Sequence, residues 1–492
     1  MSVTHDTHGP SNAAPQSGPP NTLVMDDHDV PTPPPSGKAI LIKSLIAIAV
    51  GVGIAMLPTP AALPVAGHRL LAMLATIVLL WVLEAIPIGV TALLAAAGMI
   101  MFNITPAKEA WAPFASPAVM FVLMIIMFGV VLNEVGLAKR IMYYILKAAG
   151  TGVKRLSFIL AVGCTIMATI FHDATITVIM IFAFLPVLMS MGITPQKSNN
   201  LSKFFIILIP LASSAGGFGT LLGGGRNPLA VEILQTFTKG AVSVGFLQYI
   251  IIQLPICMLT AVGTWAIMWM IFRPKEKELP GVRAEYPGKM SAAELSVTLI
   301  FIVAFALWTV TDLTGWHLTV VAALALAGFC GPNFVSFKTI CDKFPWESWI
   351  VFGAGVSLGG AMLSTGAGEY LAKTLLPLLD GRHPFFVYYG MGLFGSILSS
   401  MMSNSAAVAL ALPVTLPMAE MMGMTPQSVA LLAPITTSFI MLVIGCPPTI
   451  IAYSTGYFSQ IDFVKVAVPW CLLLLLIVVL SIMVYWPLIG FV

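Results

Sequence analysis

Charge is what this sequence has least of: Asp, Glu, Lys and Arg make up 9% of its 492 residues, against 58% that are hydrophobic. Soluble domains carry about 25% charged residues. So few charges cannot cover a globule of this size in water, and a mean hydropathy of +0.97 makes lipid the solvent for most of the surface. The net charge of +3 is small and no basic stripe is interleaved with aromatics, which excludes a nucleic-acid partner. The six cysteines lie scattered in apolar stretches without a C-x-x-C pair. Neither a disulfide framework nor a zinc site is expected, and the thiols read as small buried hydrophobes. No G-x-x-x-x-G-K-[ST] loop is present, which argues against ATP drive. No cofactor is expected.

Residues 1–37 hold Pro33-Pro34-Pro35 and the acidic patch Asp26-Asp27-His28-Asp29 with almost no aliphatic periodicity, and read as a disordered tail without a cleavable signal. Apolar runs then give eleven candidate spans, near 41–57, 69–87, 89–103, 117–133, 204–236, 245–272, 293–312, 316–332, 347–366, 427–456 and 463–489. Two further pairs of shorter runs, 157–171 with 174–191 and 385–401 with 405–422, are interrupted by polar residues. Fifteen helical residues rise about 22 Å, less than the roughly 30 Å hydrocarbon core, so these pairs are expected to be re-entrant hairpins. With Lys38 and Lys43 inside and the hairpins not crossing, 17 of the 23 Lys and Arg residues fall on the cytoplasmic side. That bias predicts a multi-pass protein of the cell (inner) membrane with its N-terminus in the cytoplasm.

The sequence also repeats itself. Phe171-His172-Asp173-Ala174, Leu185-Pro186 and Met191-Gly192-Ile193-Thr194-Pro195 align without a gap with Met402-Ser403-Asn404-Ser405, Leu416-Pro417 and Met422-Gly423-Met424-Thr425-Pro426. Downstream, Gly223-Gly224-Gly225-Arg226-Asn227-Pro228 and Gly445-Cys446-Pro447-Pro448-Thr449 interrupt apolar runs at similar places, and both break a helix. An odd number of spans separates equivalent points, so the second copy is expected to be inverted, a pattern of secondary transporters. At a helix break, free N–H groups and the positive dipole end can meet an anion, and freed carbonyls a cation. Two tips and two breaks near the midplane make such a site without many charged side chains. Ser403-Asn404-Ser405 can donate to carboxylate oxygens, or serve only as a helix cap.

Trp81-Val82-Leu83-Glu84-Ala85-Ile86-Pro87 with Thr91-Ala92-Leu93-Leu94, the Ser403-Asn404-Ser405 tip and Ile444-Gly445-Cys446-Pro447-Pro448-Thr449 resemble three ordered motifs of the divalent anion:sodium symporter family, over about residues 40–492. The resemblance implies an all-α membrane protein of about 11 transmembrane helices plus two re-entrant hairpins, an elevator-type transporter and a homodimer. It implies a scaffold at 38–150 and 291–383, transport-domain halves at 151–272 and 384–492, and a basic cytoplasmic loop at 273–290. It also implies Na⁺-coupled uptake of dicarboxylates, tricarboxylates or sulfate. Carried onto this chain, the second cation site is Ser399, Met402, Asn404, Gly445 and Pro447. Substrate contacts are Ser403, Asn404, Ser405, Pro448 and Thr449.

The first half departs from that pattern: His172-Asp173-Ala174 stands in place of the family's first S-N-T, Ala168 in place of a serine, and Gly225-Arg226-Asn227-Pro228 in place of the first break. Asp173 and Arg226 are ionisable at membrane depth, where a pair is tolerable and a lone charge costly. The expectation is that Arg226, held by Asp173, takes over the role of the first sodium and offers its fork to a substrate carboxylate; a salt bridge that only fastens hairpin to broken helix is the other reading. Asn227, His172, Asp173 and Thr175 complete the expected substrate contacts. His172 beside a carboxylate can titrate near neutral pH, so H⁺ is an alternative coupling ion, and sodium-independent anion exchange a second. Glu84 is expected in a helix–helix hydrogen bond. A membrane enzyme is the rival class, but Asp173 has no partner aspartate in an equivalent motif other than Asp312 near a span end, and His172 has no serine nucleophile. A channel would need a repeated ring of filter residues.

Overall fold

The computed structural model describes residues 37–83, 85–280, 286–379 and 381–491. The N-terminal tail up to residue 36, Glu84 and the side chain of Asp312 lie outside the described residues. From Gly37 onward the chain is one compact unit, helical throughout its described residues. Its first half comprises α1 Gly37–Met56, α2 Val65–Val82, α3 Ile88–Met101, α4 Ala107–Trp111, α5 Pro117–Glu134, α6 Leu137–Ala149, α7 Val153–Ala168, α8 Asp173–Ser190, α9 Asn200–Gly216, α10 Arg226–Phe237 and α11 Phe246–Phe272. The second comprises α12 Ala292–Thr309, α13 Thr311–Thr314, α14 Leu318–Cys330, α15 Phe337–Asp342, α16 Trp346–Ser364, α17 Ala367–Leu375, α18 Pro384–Met401, α19 Asn404–Met421, α20 Pro426–Thr436, α21 Pro447–Ser454 and α22 Gln460–Leu488.

Each of the eleven expected spans appears as a helix or a helix pair. By length and composition, seven helices among the described residues can cross a bilayer, or eight with the bent α16–α17 pair, while α3, α9 and α14 are shorter apolar helices. The arm expected at 174–191 appears as α8, whose 18 residues run through Pro186 and, by length and composition alone, also count among the seven. Length alone does not distinguish an arm of this size from a span. The two expected breaks are present, between α9 and α10 and between α20 and α21.

The repeat extends further than the motifs suggest. After α5 the chain turns at Gly136 (φ 86°) into the amphipathic α6, and after α16 it turns at Gly366 (φ 72°) into α17. Asn103 and Asn333 take the same left-handed conformation at the ends of α3 and α14. Packing inside uses small residues, as expected where lipid gives no hydrophobic drive between helices: Ala92, Ala95 and Ala96 of α3 are wholly buried in a cluster with Met73 of α2 and Ala354 and Leu358 of α16. The outward faces of α1, α12 and α14 expose Leu45, Ile302 and Leu324.

One buried charge pair fastens α6 to α12. Arg140 donates through Nη2 to Glu294 Oε2 (2.7 Å), through Nε to Oε1, and through Nη1 to the Gly288 carbonyl (2.8 Å). Losing the fork leaves a carboxylate with 4% of its residue exposed and no counter-ion. Arg140→Ala is therefore expected to lower the melting temperature of the detergent-purified protein by several degrees. Arg140→Lys should recover little, since an ammonium cannot bond bidentately. Full stability of both variants would contradict this.

Candidate functional site

Both hairpin tips end in residues that start a helix. His172 caps α8, its Nδ1 accepting from the Ala174 N–H (3.3 Å), and Ser403 caps α19, its Oγ accepting from the Ala406 N–H (3.3 Å). Each break is sewn to the arm of its hairpin. Ser396 Oγ donates to the Thr436 carbonyl (2.8 Å), Ser399 Oγ to the Thr437 carbonyl (2.6 Å), and the Met441 N–H to Ser400 Oγ (2.9 Å). In the first half, Thr165 Oγ1 donates to the Ala212 carbonyl (3.1 Å) and Thr220 Oγ1 to the Thr169 carbonyl (2.5 Å). Carbonyls near each break thus face hydroxyls of the neighbouring arm, and in the first half a hydroxyl of the break also donates to the arm.

Tips and breaks meet at a cavity of about 500 Å³, within the roughly 300–1,000 Å³ typical of small-molecule sites. Of the expected residues, His172, Asp173, Thr175, Arg226, Ser403, Asn404, Ser405 and Pro447 line it. Asn227, Pro448 and Thr449 are not among its lining residues: Asn227 Nδ2 donates to the carbonyls of Gly217 (2.8 Å) and Thr220 (2.6 Å), and Thr449 Oγ1 to those of Val443 (2.6 Å) and Cys446 (2.8 Å). Both close their breaks rather than face the cavity. Met402 and Gly445 line a smaller cavity of about 240 Å³, which shares Ser403, Ser405, Cys446 and Pro447 with the first.

The pair expected between Asp173 and Arg226 does not form. Among the described residues no ion pair joins them; Asp173 Oδ1 accepts from the Ala174 N–H (2.8 Å) and lies 3.3 Å from His172 Nδ1. Arg226, 4% exposed, turns instead to its own break and to the other half of the molecule. Its Nη2 donates to the Ser214 carbonyl (3.2 Å) at the end of α9, passing so close to Gly217 that a Cβ there would overlap it. Its Nη1 reaches Asn404. The Asn404 amide is oriented by its neighbours: with Oδ1 toward Arg226 Nη1 (2.8 Å), Nδ2 donates to Ser399 Oγ (2.7 Å) and the Thr437 carbonyl (3.1 Å), and no donor faces a donor. Arg226 Nε and Asn227 Oδ1 are buried without a partner. An anion entering the cavity would meet a guanidinium with bonding capacity to spare.

The opposite wall of the cavity was not visible in the sequence. Asn133 and Glu134 at the end of α5, and Lys343, Ser348 and Phe352 at and before the start of α16, complete the lining, with Lys343 Nζ donating to Glu134 Oε1 at 2.7 Å. Charges at helix ends look like ordinary membrane-surface residues until the helices are placed side by side.

Known proteins are similar to this chain over most of its length. An uncharacterized transporter of Haemophilus influenzae is 27% identical over 84% of this chain and 90% of its own length. A sodium-dependent dicarboxylate transporter, SdcS, of Staphylococcus saprophyticus is 26% identical over 83% of this chain and 84% of its own. Among solved structures, the YdaH transporter of Alcanivorax borkumensis has the same general fold, with a TM-score of 0.60 at 14% identity over 92% of this chain and 98% of that one. Residues 38–492 match the model of the sodium:sulfate symporter transmembrane region, and the chain belongs to that family of multi-pass membrane transporters, which are not enzymes.

Proposed function

We propose that the protein is a secondary active transporter carrying a di- or tricarboxylate across the inner membrane together with a cation. The observation that carries this reading is the convergence of two capped hairpin tips and two helix breaks on one cavity that also holds a buried guanidinium. Ser403, Ser405 and Thr175 offer hydroxyls to carboxylate oxygens, and Arg226 offers charge. Asn404 borders both the anion and the cation. Ser399 and Asn404, with backbone carbonyls near Met402, Gly445 and Pro447, form the cation site. The relatives named for sodium-dependent dicarboxylate transport favour Na⁺ as that cation.

In the first half, the carbonyls of Ser214, Gly217 and Thr220 accept from Arg226 and Asn227. Side-chain N–H groups stand where a first sodium would, so one Na⁺ is coupled through the second site. The transport domain comprises 151–272 and 384–492, moving as an elevator against a scaffold of 38–150 and 291–383, with 273–290 and the N-terminus cytoplasmic. The two halves are inverted repeats and the assembly a homodimer.

Uptake of succinate, citrate and sulfate into proteoliposomes, each with and without a Na⁺ gradient, tests the reading. Na⁺-stimulated uptake of succinate or citrate is the expected result. Transport of sulfate alone, or of none of the three, would overturn it, and uptake driven only by an internal anion would assign exchange. Proton coupling is the second reading, favoured by a half-exposed His172 ring at 3.3 Å from the Asp173 carboxylate. It requires uptake to rise toward acid pH, and a flat profile between about pH 5.5 and 8 eliminates it.

A further inference from the structure

The Asn404 amide sits between two demands that it cannot meet at once. On one side lie oxygens suited to a small cation, Ser399 Oγ and the Thr437 carbonyl; on the other lies Arg226 Nη1. An amide has one oxygen. With Oδ1 on Arg226, the NH₂ group fills the oxygen cage and bonds to both of its members. A cation in the cage needs Oδ1 there, and the half-turn about χ2 that supplies it moves no other atom. The same half-turn puts NH₂ against the guanidinium N–H, so a bond of 2.8 Å becomes a donor facing a donor, and Arg226 must find another acceptor. Arg226 is 4% exposed, its Nε already lacks a partner, and it lines the cavity. The acceptor within its reach is an anion in that cavity.

We propose that this rotation of the Asn404 amide is the device that couples cation to anion: Na⁺ in the Ser399–Thr437 cage draws Oδ1 away from Arg226, and the released Nη1 binds a substrate carboxylate. The inference rests on the anion-transporter reading above and adds to it a relay between two groups in different halves of the repeat. By linkage, a carboxylate that recruits Arg226 frees Oδ1 for Na⁺, so each ligand strengthens the other by the same factor. Without either ligand the Arg226–Asn404 bond holds the two halves together, which keeps the guanidinium from an unpaired burial.

Asn404→Asp tests the relay, because a carboxylate offers an oxygen to the cage and another to Arg226 simultaneously and so removes the exclusivity while keeping the shape. Succinate affinity of the purified full-length protein is measured by titration in Na⁺ and in choline, with citrate as a second probe. In the unaltered protein Na⁺ should tighten binding by about 10-fold or more. In N404D the ratio should fall to about one, while Na⁺ alone still raises the melting temperature, which reports a folded protein with an intact cage. Ser399→Ala provides a second arm: it should raise the half-saturating Na⁺ concentration about 10-fold. An unaltered protein that binds succinate equally in both media, or an N404D that keeps the full Na⁺ effect, overturns the relay while leaving anion transport standing. A half-saturating Na⁺ concentration unmoved in S399A overturns it too. Failure of every probe anion to bind in either medium removes the transporter reading and the relay with it.

Discussion

Arg226→Ala is expected to reduce anion uptake by about 100-fold or more, with Arg226→Lys recovering only a small part. Two losses contribute. The guanidinium supplies the cavity's only buried positive charge among the described residues, and a charge-assisted contact to carboxylate is about twice as strong as a neutral one. Its removal also leaves Asn404 Oδ1 without a donor, at about 1–3 kcal/mol for a buried unsatisfied group, while the Ser214 carbonyl keeps the Gly217 N–H. Lysine keeps the charge but presents a compact ammonium in place of a planar fork, so it cannot hold Ser214 O and Asn404 Oδ1 on two sides as Arg226 does. Transport should be read with melting temperature: a folded R226A that no longer moves succinate places the loss in the site. If both variants transport normally with unchanged Na⁺ dependence, Arg226 has no part in binding or coupling.

How Arg226 is held also shows where reading the sequence ends. The tips and breaks were legible because helix chemistry is local: a Ser, Asn or His at the start of an apolar run, and Gly or Pro within one, fix where a helix begins and stops. The ends of α18 and α19 fall within a residue or two of the expected arms, and the breaks fall at Gly217–Gly225 and Thr437–Cys446. Partner choice is not local. Asp173 looked like the natural counter-ion for Arg226, yet its carboxylate lies on its own helix N-terminus, where backbone N–H and dipole stabilise it without help. Arg226 was then free to satisfy carbonyl and amide oxygens from α9 and α19. The Glu134–Lys343 pair was missed for the same reason, since only the packing of α5 beside α16 brings those residues to the cavity. For Asn227, Pro448 and Thr449, motif position alone points to substrate. For Asn227 and Thr449, the hydrogen bonds that close each break required three-dimensional placement to see.

The second large effect is expected at two glycines related by the repeat. A Cβ on Gly445 would stand 2.9 Å from the Ser399 carbonyl oxygen and 3.0 Å from Ser400 Cα; one on Gly223 would stand 2.6 Å from the Ala168 carbonyl oxygen and 3.1 Å from Thr169 Cα. Ala168 and Thr169 occupy the positions of Ser399 and Ser400 in the aligned repeat, so each break presses bare backbone against the same turn of its hairpin arm. A methyl group there meets main chain, which cannot rotate away as a side chain would, and overpacking of this kind costs about 1–3 kcal/mol. Gly445→Ala should therefore separate the break from α18 and spoil the oxygen cage, cutting Na⁺-stimulated uptake by about 10-fold or more at a cost of that size. Gly223→Ala should do the same to the seat of Arg226 and reduce uptake at every Na⁺ concentration. Gly360, on α16, is the control: nothing lies within 4 Å of the point where its Cβ would stand, and alanine favours a helix over glycine by about 1 kcal/mol. Gly360→Ala should transport within about twofold of the unaltered protein, since that gain bears on stability alone. If G445A and G223A behave like G360A, close contact between break and hairpin is not what builds the site. Loss confined to Na⁺ dependence in G445A, beside general loss in G223A, would assign the cation to the second half.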